Sequence, residues 1–463
     1  MTDVGNSREL VLDILIEILE KGGPSHVVLR QALGKYQYLS KQDRAFITRV
    51  TEGTLEYLIQ IDYILDSCSK TPVAKMKPVI RNILRMSVYQ ILYLDRIPDS
   101  AACNEAVKLA GKRHFQGLKG FVNGILRRIS REKEKITESL PGLSVRLSAP
   151  EWLTAMWNEE LGKERTEEIL KAFLRERPVT VRCNESLAGR EEILKSLESQ
   201  GVTCHALPSL PGVLELSGYD YLESLEAFQQ GWIQVQDTSS VLAGLAAAPK
   251  KGSFVLDVCA APGGKSIHAA DLLAGTGMVE ARDITEKKAA LIEENVYRCG
   301  FSNIRTKVWD ALVPDESVKA KADVVLADLP CSGLGIIGKK PDIKLRMTKE
   351  SADSLASLQR EILSVVWQYV KPGGILVYST CTIHKAENQE NAAWFLEHFP
   401  FVPVDLTERI GAFVQPVDLT ERIGAYGQSG ALFQDSLKEG WVQLLPGSGP
   451  WDGFFFSVMQ RKE

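Results

Sequence analysis

The sequence lacks the features that define a secreted, membrane-spanning or zinc-binding protein. No apolar stretch approaches the roughly 20 residues of a membrane span. The first ten residues carry Asp3 and Glu9 instead of a basic region followed by an apolar run. The eight cysteines are scattered, with no C-x-x-C pair of the kind found in zinc sites. These absences predict a cytoplasmic protein with free thiols, no membrane partner and no bound metal.

The length and the charge distribution indicate several domains with different partners. A chain of 463 residues is too long for one ordinary domain of roughly 100–200 residues. Residues 1–150 carry 23 Lys and Arg against 16 Asp and Glu, whereas the rest of the chain carries 32 against 43. A basic N-terminal part suits a polyanion such as RNA, and the acidic remainder does not.

The first domain, residues 1–140, has helical periodicity almost throughout. Apolar residues in PVIRNILRMSVYQIL and FVNGILRRIS recur at helical spacing, which predicts buried stripes. Basic residues lie between them and are expected on the outer faces, where they are candidates for contact with RNA phosphates. These candidates are Arg81, Arg85, Arg127 and Arg128. A run of charges is more often only a solvated face, so this alternative stays open.

Two further domains follow. Residues 145–245 contain the strand-like segments RPVTVRCN and GVLELSG around the helical segment GREEILKSLESQG, which predicts a small α+β module of ferredoxin or RRM type. In residues 246–463 strands alternate with helices, and this pattern is typical of a Rossmann-like parallel sheet covered on both faces. The segments WVQLL and FFFSVMQR predict a closing hairpin.

The segment DVCAAPGGKS opens the Rossmann-like domain with a glycine-rich turn between a strand and a helix. Gly263 and Gly264 allow the backbone to approach a ligand, and the helix N-terminus offers N–H donors to an anionic group. Asp283 ends the next strand and suits the two ribose hydroxyls, while Asp310 ends the third strand and suits an adenine amine. Together these groups predict S-adenosylmethionine as the cofactor.

Two cysteines follow the fourth and fifth strands of this domain. Cys331 lies in ADLPCSG and Cys381 in STCTI, at the carboxyl ends of strands, where ligands bind in open α/β sheets. A thiolate that adds to carbon 6 of cytosine activates carbon 5 toward a methyl group, so nucleophilic catalysis explains a thiol beside a methyl donor. Asp328 would stabilise charge that develops on the base.

These motifs, with KKPDIK, WIQVQDTSS and DGFFF, resemble those of the RNA cytosine-5 methyltransferases with two active-site cysteines. The basic N-terminal domain resembles the NusB-type RNA-binding domain in DRAFITRVTEGTL and FVNGILRRI. The combination is similar to the Sun/Fmu family of bacterial 16S ribosomal RNA cytosine-5 methyltransferases. The likeness covers nearly the whole chain.

The resemblance implies a role for each matched position. Cys381 is implied as the nucleophile and Cys331 as the thiol that assists release, with Asp328 facing cofactor, base or both. It implies that the cofactor pocket is lined by Cys259, Ala260, Ala261, Pro262, Gly263, Gly264, Lys265, Asp283, Asp310 and Asp328. It also assigns Lys340, Lys344, Arg182 and Asn184 to the cleft or RNA path. The expected substrate is naked or partly assembled 16S rRNA, bound by a monomer.

Other interpretations remain open at this point. The same chemistry on transfer RNA or on another ribosomal site fits the motifs equally well, because a fold does not fix a substrate. A mainly non-catalytic RNA-binding or assembly factor is a different class of function. One departure from the family pattern is a tandem copy, PVDLTERIGAFVQ at 403–415 followed by PVDLTERIGAYGQ at 416–428. We interpret this tandem copy as a duplication in a surface connection between secondary-structure elements.

Overall fold

The computed structural model describes residues 7–36, 38–176, 178–208, 210, 212–411, 413 and 435–463. The chain divides into two compact units, one of residues 1–175 with 337–347 and one of residues 176–336 with 348–463. In the described part of the chain, no helix has both the length and the hydropathy needed to cross a bilayer. The second half of the tandem copy, residues 416–428, lies outside the described residues.

The first unit is helical. Its described helices are α1 (Ser7–Leu19), α2 (Ser25–Lys35), α3 (Lys41–Glu56), α4 (Leu58–Cys68), α5 (Pro78–Tyr93), α6 (Asp99–Lys112), α7 (Lys119–Glu138), α8 (Gly142–Arg146), α9 (Glu151–Leu161), α10 (Lys163–Phe173) and, from the inserted segment 337–347, α16 (Ile343–Arg346). One apolar core joins α1 to α7. Helices α9 and α10 lie in the range expected for the middle module, and by contact they belong to this unit. The domain limits stay a prediction.

Helices α5 and α7 show why this part of the sequence is helical. Pro78 occupies the first turn of α5, where its missing N–H removes no helical hydrogen bond. The predicted stripe of α7 is confirmed, because Val122, Ile125, Leu126 and Ile129 are all buried. Each such side chain contributes roughly 1.5–3 kcal/mol when it leaves water. The apolar spacing therefore holds both helices in the core.

The middle module is a four-stranded antiparallel sheet with helices beside it. It contains β1 (Val179–Cys183), α11 (Arg190–Ser199), β2 (Thr203–Ala206), β3 (Val213–Ser217), α12 (Glu226–Gln229) and β4 (Ile233–Val235). The strand order is β2-β3-β1-β4, and every pair is antiparallel. This arrangement agrees with the ferredoxin-like module predicted from the sequence.

The large sheet of the second unit carries the site. Its elements are α13 (Thr238–Ala247), β5 (Phe254–Asp257), α14 (Gly264–Leu272), β6 (Met278–Asp283), α15 (Glu286–Cys299), β7 (Ile304–Val308), β8 (Ala322–Asp328), α17 (Lys349–Val366), β9 (Val370–Thr380), α18 (Gln389–His398), β10 (Phe401–Pro403), α19 (Thr407–Ile410), β11 (Trp441–Leu444) and β12 (Phe454–Arg461). The strand order is β10-β12-β9-β8-β5-β6-β7, with β11 paired to β12.

The pairing of these strands decides where ligands can bind. Strands β5 to β9 are parallel, so their carboxyl ends meet at one edge of the sheet. The closing hairpin β11–β12 is confirmed, and β12 runs antiparallel to β9. The sheet is therefore mixed, because the hairpin adds antiparallel strands to the parallel sheet that the alternation predicted. The carboxyl edge of β5, β6, β7, β8 and β9 is the candidate site.

Candidate active site

Two thiols meet at the carboxyl ends of neighbouring strands. Asp328 at the end of β8 pairs with Ser379 near the end of β9, and each strand runs on into a loop that carries one cysteine. The Sγ atoms of Cys331 and Cys381 are 3.3 Å apart, and both cysteines are free and half-buried. The predicted placement of both cysteines at strand ends is confirmed. The register of β8 and β9 brings the two loops side by side, and the loops themselves place the sulfur atoms in contact.

The surroundings of Cys331 raise the pKa of its thiol and so distinguish it from Cys381. The hydrogen bond with Cys381, together with burial and the negative charge of Glu387, raises the pKa of the Cys331 thiol well above its usual range. Cys331 is therefore held as a protonated thiol. A thiol in contact with a second sulfur can donate a hydrogen bond to it, and the protonated Cys331 is placed to do so toward Cys381.

Asp328 lies at the end of β8, three residues before Cys331. Its Oδ2 atom accepts a hydrogen bond from Lys265 Nζ at 2.6 Å, and its Oδ1 atom accepts one from Ser379 Oγ at 2.8 Å. Lys265 belongs to the glycine-rich segment, so this ion pair connects the predicted cofactor loop with the strand end that leads to Cys331. Both carboxyl oxygens of Asp328 are thus held in place by hydrogen bonds.

The predicted cofactor loop joins β5 to the N-terminus of α14. Gly263 has φ +104°, a conformation that glycine adopts without strain, and the loop closes through a hydrogen bond from Gly263 N to Ala260 O at 2.6 Å. The Ala261 N–H donates to Asp283 Oδ2 at 3.0 Å, and the Ala261–Pro262 peptide bond is cis. The loop is thus fastened to the end of β6.

Two groups where this loop begins are shielded from water, Asp257 fully and Cys259 partly. Burial raises the pKa of the Cys259 thiol, which remains protonated and apolar in character. Burial also raises the pKa of Asp257 to about 7, although Ser266 Oγ donates to its Oδ2 atom at 2.6 Å. Asp257 Oδ1 has no hydrogen-bond partner among the described residues. Sequence analysis did not single out Asp257, whose signal is its place as the last residue of β5.

The ends of β6 and β7 carry acidic residues that suit the binding of a nucleoside. Asp283 is buried, and besides Ala261 its carboxylate accepts the Ile284 N–H at 2.8 Å and faces Lys288 Nζ at 3.0 Å. Asp310 Oδ1 accepts the Leu312 N–H at 3.0 Å. Carboxylate oxygens retain further lone pairs for ribose hydroxyls or an amine.

Apolar side chains beside these aspartates are left in water. Ile284 follows Asp283 and is 53% exposed, and Val313 follows closely on Asp310 and is 50% exposed. Large apolar residues exposed beside acidic groups at one sheet edge are typical of a ligand site that combines an aromatic ring with polar hydroxyls. The residues present therefore fit the predicted S-adenosylmethionine. The described residues contain no group of three or more His, Cys, Asp or Glu side chains placed to hold a metal ion.

A buried carboxylate near the thiols, Glu387, was not predicted from the sequence. Glu387 is 0% exposed and accepts hydrogen bonds from Ser332 N and from Gln359 Nε2, both at 2.9 Å. Ser332 directly follows Cys331, so Glu387 belongs to the surroundings of the thiol pair. The only signal in the sequence is its position six residues after Cys381, in a segment that gives no periodicity.

The structure contradicts part of the predicted RNA contacts. Arg81 and Arg85 do not form an exposed face, because Arg81 pairs with Glu20 and the buried Arg85 pairs with Asp62 Oδ2 at 2.6 Å. Their partners are Glu20, which directly follows α1, and Asp62 in α4, so the spacing of α5 alone does not reveal them. Arg127 and Arg128, by contrast, are exposed on α7, as expected for residues available to phosphates.

Arg182 and Asn184 are also interior residues. Arg182 is 3% exposed, and its Nη1 atom donates to Asp271 Oδ2 at 2.7 Å. Asn184 accepts a hydrogen bond from Arg182 Nη2 at 2.5 Å and donates to Gly231 O. These polar groups are used inside the second unit, where Arg182 attaches β1 to α14, so they offer no free charge to RNA. Their assignment to the cleft or its RNA path stays a prediction.

The two lysines of KKPDIK differ in burial. Lys344 is 5% exposed and donates to the backbone oxygen of Glu56, so it does not offer charge to RNA. Burial lowers the pKa of Lys344 to about 7. Lys340 is half-buried and stays a candidate. The surrounding segment is held by Asp342, whose Oδ2 atom accepts the Ser25 N–H at 3.2 Å.

Three family models together span most of the chain. A model described as 16S rRNA methyltransferase RsmB/F matches residues 244–460, one described as NusB family matches residues 5–131, and one described as a Methyltr_RsmF/B-like ferredoxin-like domain matches residues 149–220. They match, in order, the α/β unit, the helical unit and the middle module. The predicted fold class of all three parts is confirmed.

Full-length relatives agree with these models. The probable ribosomal RNA small subunit methyltransferase B of Bacillus subtilis is 34% identical over 98% of this chain and 98% of its own length. The ribosomal RNA small subunit methyltransferase B of Cronobacter sakazakii is 30% identical over 99% of each chain. The crystal structure of PH0851 has a TM-score of 0.78 and 26% identity over 98% of this chain and 99% of that chain. The chain therefore belongs to the 16S rRNA methyltransferase RsmB/F family.

Proposed function

We propose that this protein methylates carbon 5 of one cytosine in 16S rRNA, with S-adenosylmethionine as methyl donor and through a covalent bond between Cys381 and the base. The observation that carries the proposal is the pair of sulfur atoms 3.3 Å apart at the carboxyl edge of the sheet. Asp328 and the glycine-rich loop lie at the same edge. The names of the full-length relatives support a ribosomal RNA substrate.

Cys381 acts first. Its sulfur adds to carbon 6 of cytosine, and the electron pair of the 5,6 double bond moves toward carbon 5 and the ring nitrogen. Cys331 is unsuited to this step because its raised pKa keeps it protonated. Asp328, positioned by Lys265 and Ser379, acts in its protonated form: it donates a hydrogen bond to the ring nitrogen and so stabilises the negative charge that develops there.

S-adenosylmethionine supplies the methyl group as an electrophilic sulfonium. The loop from Cys259 to Lys265 would hold its carboxylate against the N-terminus of α14, Asp283 would hold the ribose and Asp310 the adenine amine. The exposed Ile284 and Val313 would cover the adenine ring. These assignments rest on the strand-end positions of the acidic residues and on the open loop at Gly263.

Cys331 acts last. After methylation, carbon 5 loses its proton to a base and the bond between Cys381 and carbon 6 breaks, which restores the ring. The departing sulfur carries the electron pair of that bond. The Cys331 thiol is 3.3 Å from this sulfur and donates a hydrogen bond to it, which makes Cys381 a better leaving group.

The substrate must present an accessible base. Carbons 5 and 6 are reached only when the cytosine is unstacked, so single-stranded or flipped nucleotides are required. Naked or partly assembled 16S rRNA should therefore react faster than mature small subunits. Exposed Arg127 and Arg128 on the helical unit supply charge for phosphate contacts. Equal rates on mature subunits would contradict this part of the proposal.

The experiment uses the full chain, labelled S-adenosylmethionine and transcribed 16S rRNA, with the methylated nucleotide mapped by mass spectrometry. Wild type should form 5-methylcytosine at one site. Cys381→Ala should be inactive and form no adduct on denaturing gels, whereas Cys331→Ala should accumulate RNA-bound protein. Cys204→Ala, a half-buried cysteine of the middle module, is the matched control and should behave like wild type.

The other outcomes separate the chemistry from the substrate. Methylation of transfer RNA but not of 16S rRNA would retain the mechanism and overturn the substrate. Tight RNA binding without methyl transfer to any RNA would favour an assembly factor. Activity of Cys381→Ala would show that the nucleophile is another residue.

A further inference from the structure

The buried carboxylate of Glu387 lies within hydrogen-bond distance of residues in both loops that carry the thiols. Glu387 ends a short 3-10 turn after β9, and its Oε2 atom accepts hydrogen bonds from Ser332 N and Gln359 Nε2. Its Oε1 atom accepts one from Ser332 Oγ, and His384 Nδ1 lies 3.3 Å away. A buried carboxylate with four donors is strongly oriented, because each charge-assisted hydrogen bond restricts its position.

The partners of Glu387 flank the release cysteine on both sides. Ser332 directly follows Cys331 in the chain. Gln359 Nε2, which donates to Glu387, also donates to the backbone oxygen of Pro330 at 2.9 Å. Pro330 directly precedes Cys331. Both neighbours of Cys331 are therefore tied to the Glu387 carboxylate or to its amide partner on α17.

The same cluster reaches the second thiol. Thr382 directly follows Cys381, and its hydroxyl lies 2.8 Å from the hydroxyl of Ser332. The backbone of Glu387 is held as well, because Tyr378 donates its hydroxyl proton to Glu387 O. The two loops are thus connected immediately beside the sulfur atoms. The backbone pairing of β8 and β9 ends at Asp328 and Ser379. The loops that follow are therefore positioned by their side chains.

We propose that Glu387 is a positioning residue that holds the Cys331 thiol against Cys381 and thereby sets the rate of release from the RNA. The inference rests on the two-thiol mechanism proposed above. Addition of Cys381 depends on Asp328, Lys265 and Ser379, which form a separate hydrogen-bond set. Loss of Glu387 should therefore affect release far more than addition.

The test measures the two covalent steps separately. Full-length Glu387→Ala would be mixed with S-adenosylmethionine and labelled 16S rRNA, and the protein–RNA adduct followed in time on denaturing gels. We expect adduct formation within about 3-fold of wild type and release slowed at least about 10-fold. The steady-state trapped fraction should rise, kcat should fall, and KM for RNA should fall with it.

Two further variants distinguish positioning from general damage. Glu387→Gln retains an acceptor for Ser332 N–H and Gln359, so it should recover most of the release rate. In the double variant with Cys331→Ala, removal of Glu387 should slow release no further than Cys331→Ala alone, because both changes disable the same step. Glu390→Ala, an exposed acidic residue on α18, is the matched control and should release like wild type.

The outcomes separate this inference from the proposed function. If Cys331→Ala traps RNA but Glu387→Ala does not, or if Glu387→Ala slows addition and release equally, Glu387 has only a structural role. If Cys331→Ala itself traps no RNA, the two-thiol mechanism fails and the release role fails with it. If Glu387→Ala does not fold, Ser332→Ala replaces it, and unchanged release in that variant overturns the inference.

Discussion

Lys344 offers a sharp test of how the helical unit is stabilised. Its ammonium group is buried beside Glu56 in an apolar pocket of that unit, lined by Leu147, Leu153, Leu170 and Phe173 among others. Burial disfavours the charged form, which lowers the pKa from 10.5 to about 7. Replacing Lys344 with methionine keeps an unbranched side chain, shorter by the terminal amino group, and removes the charge.

The magnitude follows from proton linkage. The unfolded chain keeps its proton up to about pH 10.5, while the folded lysine loses half of it near pH 7, so the unfolded state binds more protons between these values. Stability therefore rises with pH across this window, at up to about 1.4 kcal/mol per pH unit. We expect a gain of about 2 kcal/mol between pH 7 and pH 9. At pH 7, Lys344→Met should stabilise the unit by about 3 kcal/mol, after loss of one hydrogen bond worth about 1 kcal/mol.

The assay is urea denaturation at pH 7, 8 and 9, with hydrogen exchange to assign the transition to the helical unit. Wild type should become more stable as pH rises, and Lys344→Met should lose most of this dependence. Lys340→Met, on the same segment and less buried, is the matched control and should keep it. An unchanged pH dependence in Lys344→Met would refute the reasoning.

Three other changes probe the site, the RNA surface and the interior. Asp328→Asn should lower kcat by roughly 10²-fold or more, because an amide cannot pass a proton to the ring nitrogen where negative charge develops. A single-turnover assay with activity within 3-fold of wild type would exclude this role. The double change Arg127→Ser and Arg128→Ser should weaken RNA binding and reduce the salt dependence of the affinity, without changing the midpoint of urea denaturation. An unchanged salt dependence would show that these residues do not contact RNA phosphates. Asp271→Ala should destabilise the second unit by about 3–5 kcal/mol in urea denaturation, because it leaves Arg182 charged and unpaired in the interior, and a loss below 1 kcal/mol would show that the ion pair is dispensable.

Much of the site could be predicted because it lies at strand ends. The alternation of strands and helices indicates a parallel sheet, and parallel strands bring their carboxyl ends to one edge. Asp283, Asp310, Asp328, Cys331 and Cys381 each follow or end a strand of that sheet. Their shared edge therefore follows from local patterns together with one topological rule.

The burial of the basic residues could not be predicted in this way. Arg85 has the helical spacing of a surface charge, and the family resemblance placed Arg182 in the cleft or RNA path, yet both are buried in ion pairs. Their partners, Asp62 and Asp271, lie 23 and 89 positions away, so no local pattern reveals them. Arg127 and Arg128 remained on the surface because the opposite face of α7 supplies the apolar stripe.

By itself the sequence determined the fold class of the three parts and the succession of strands and helices along the α/β part, and it singled out the residues proposed to react, because periodicity, glycine-rich turns and motif chemistry are properties of neighbouring residues. Only the tertiary structure decided which charges are buried, how closely Cys331 approaches Cys381, and that Glu387 joins their two loops. These features depend on contacts between distant segments, whose distances are set by packing and strand register and not by local preference.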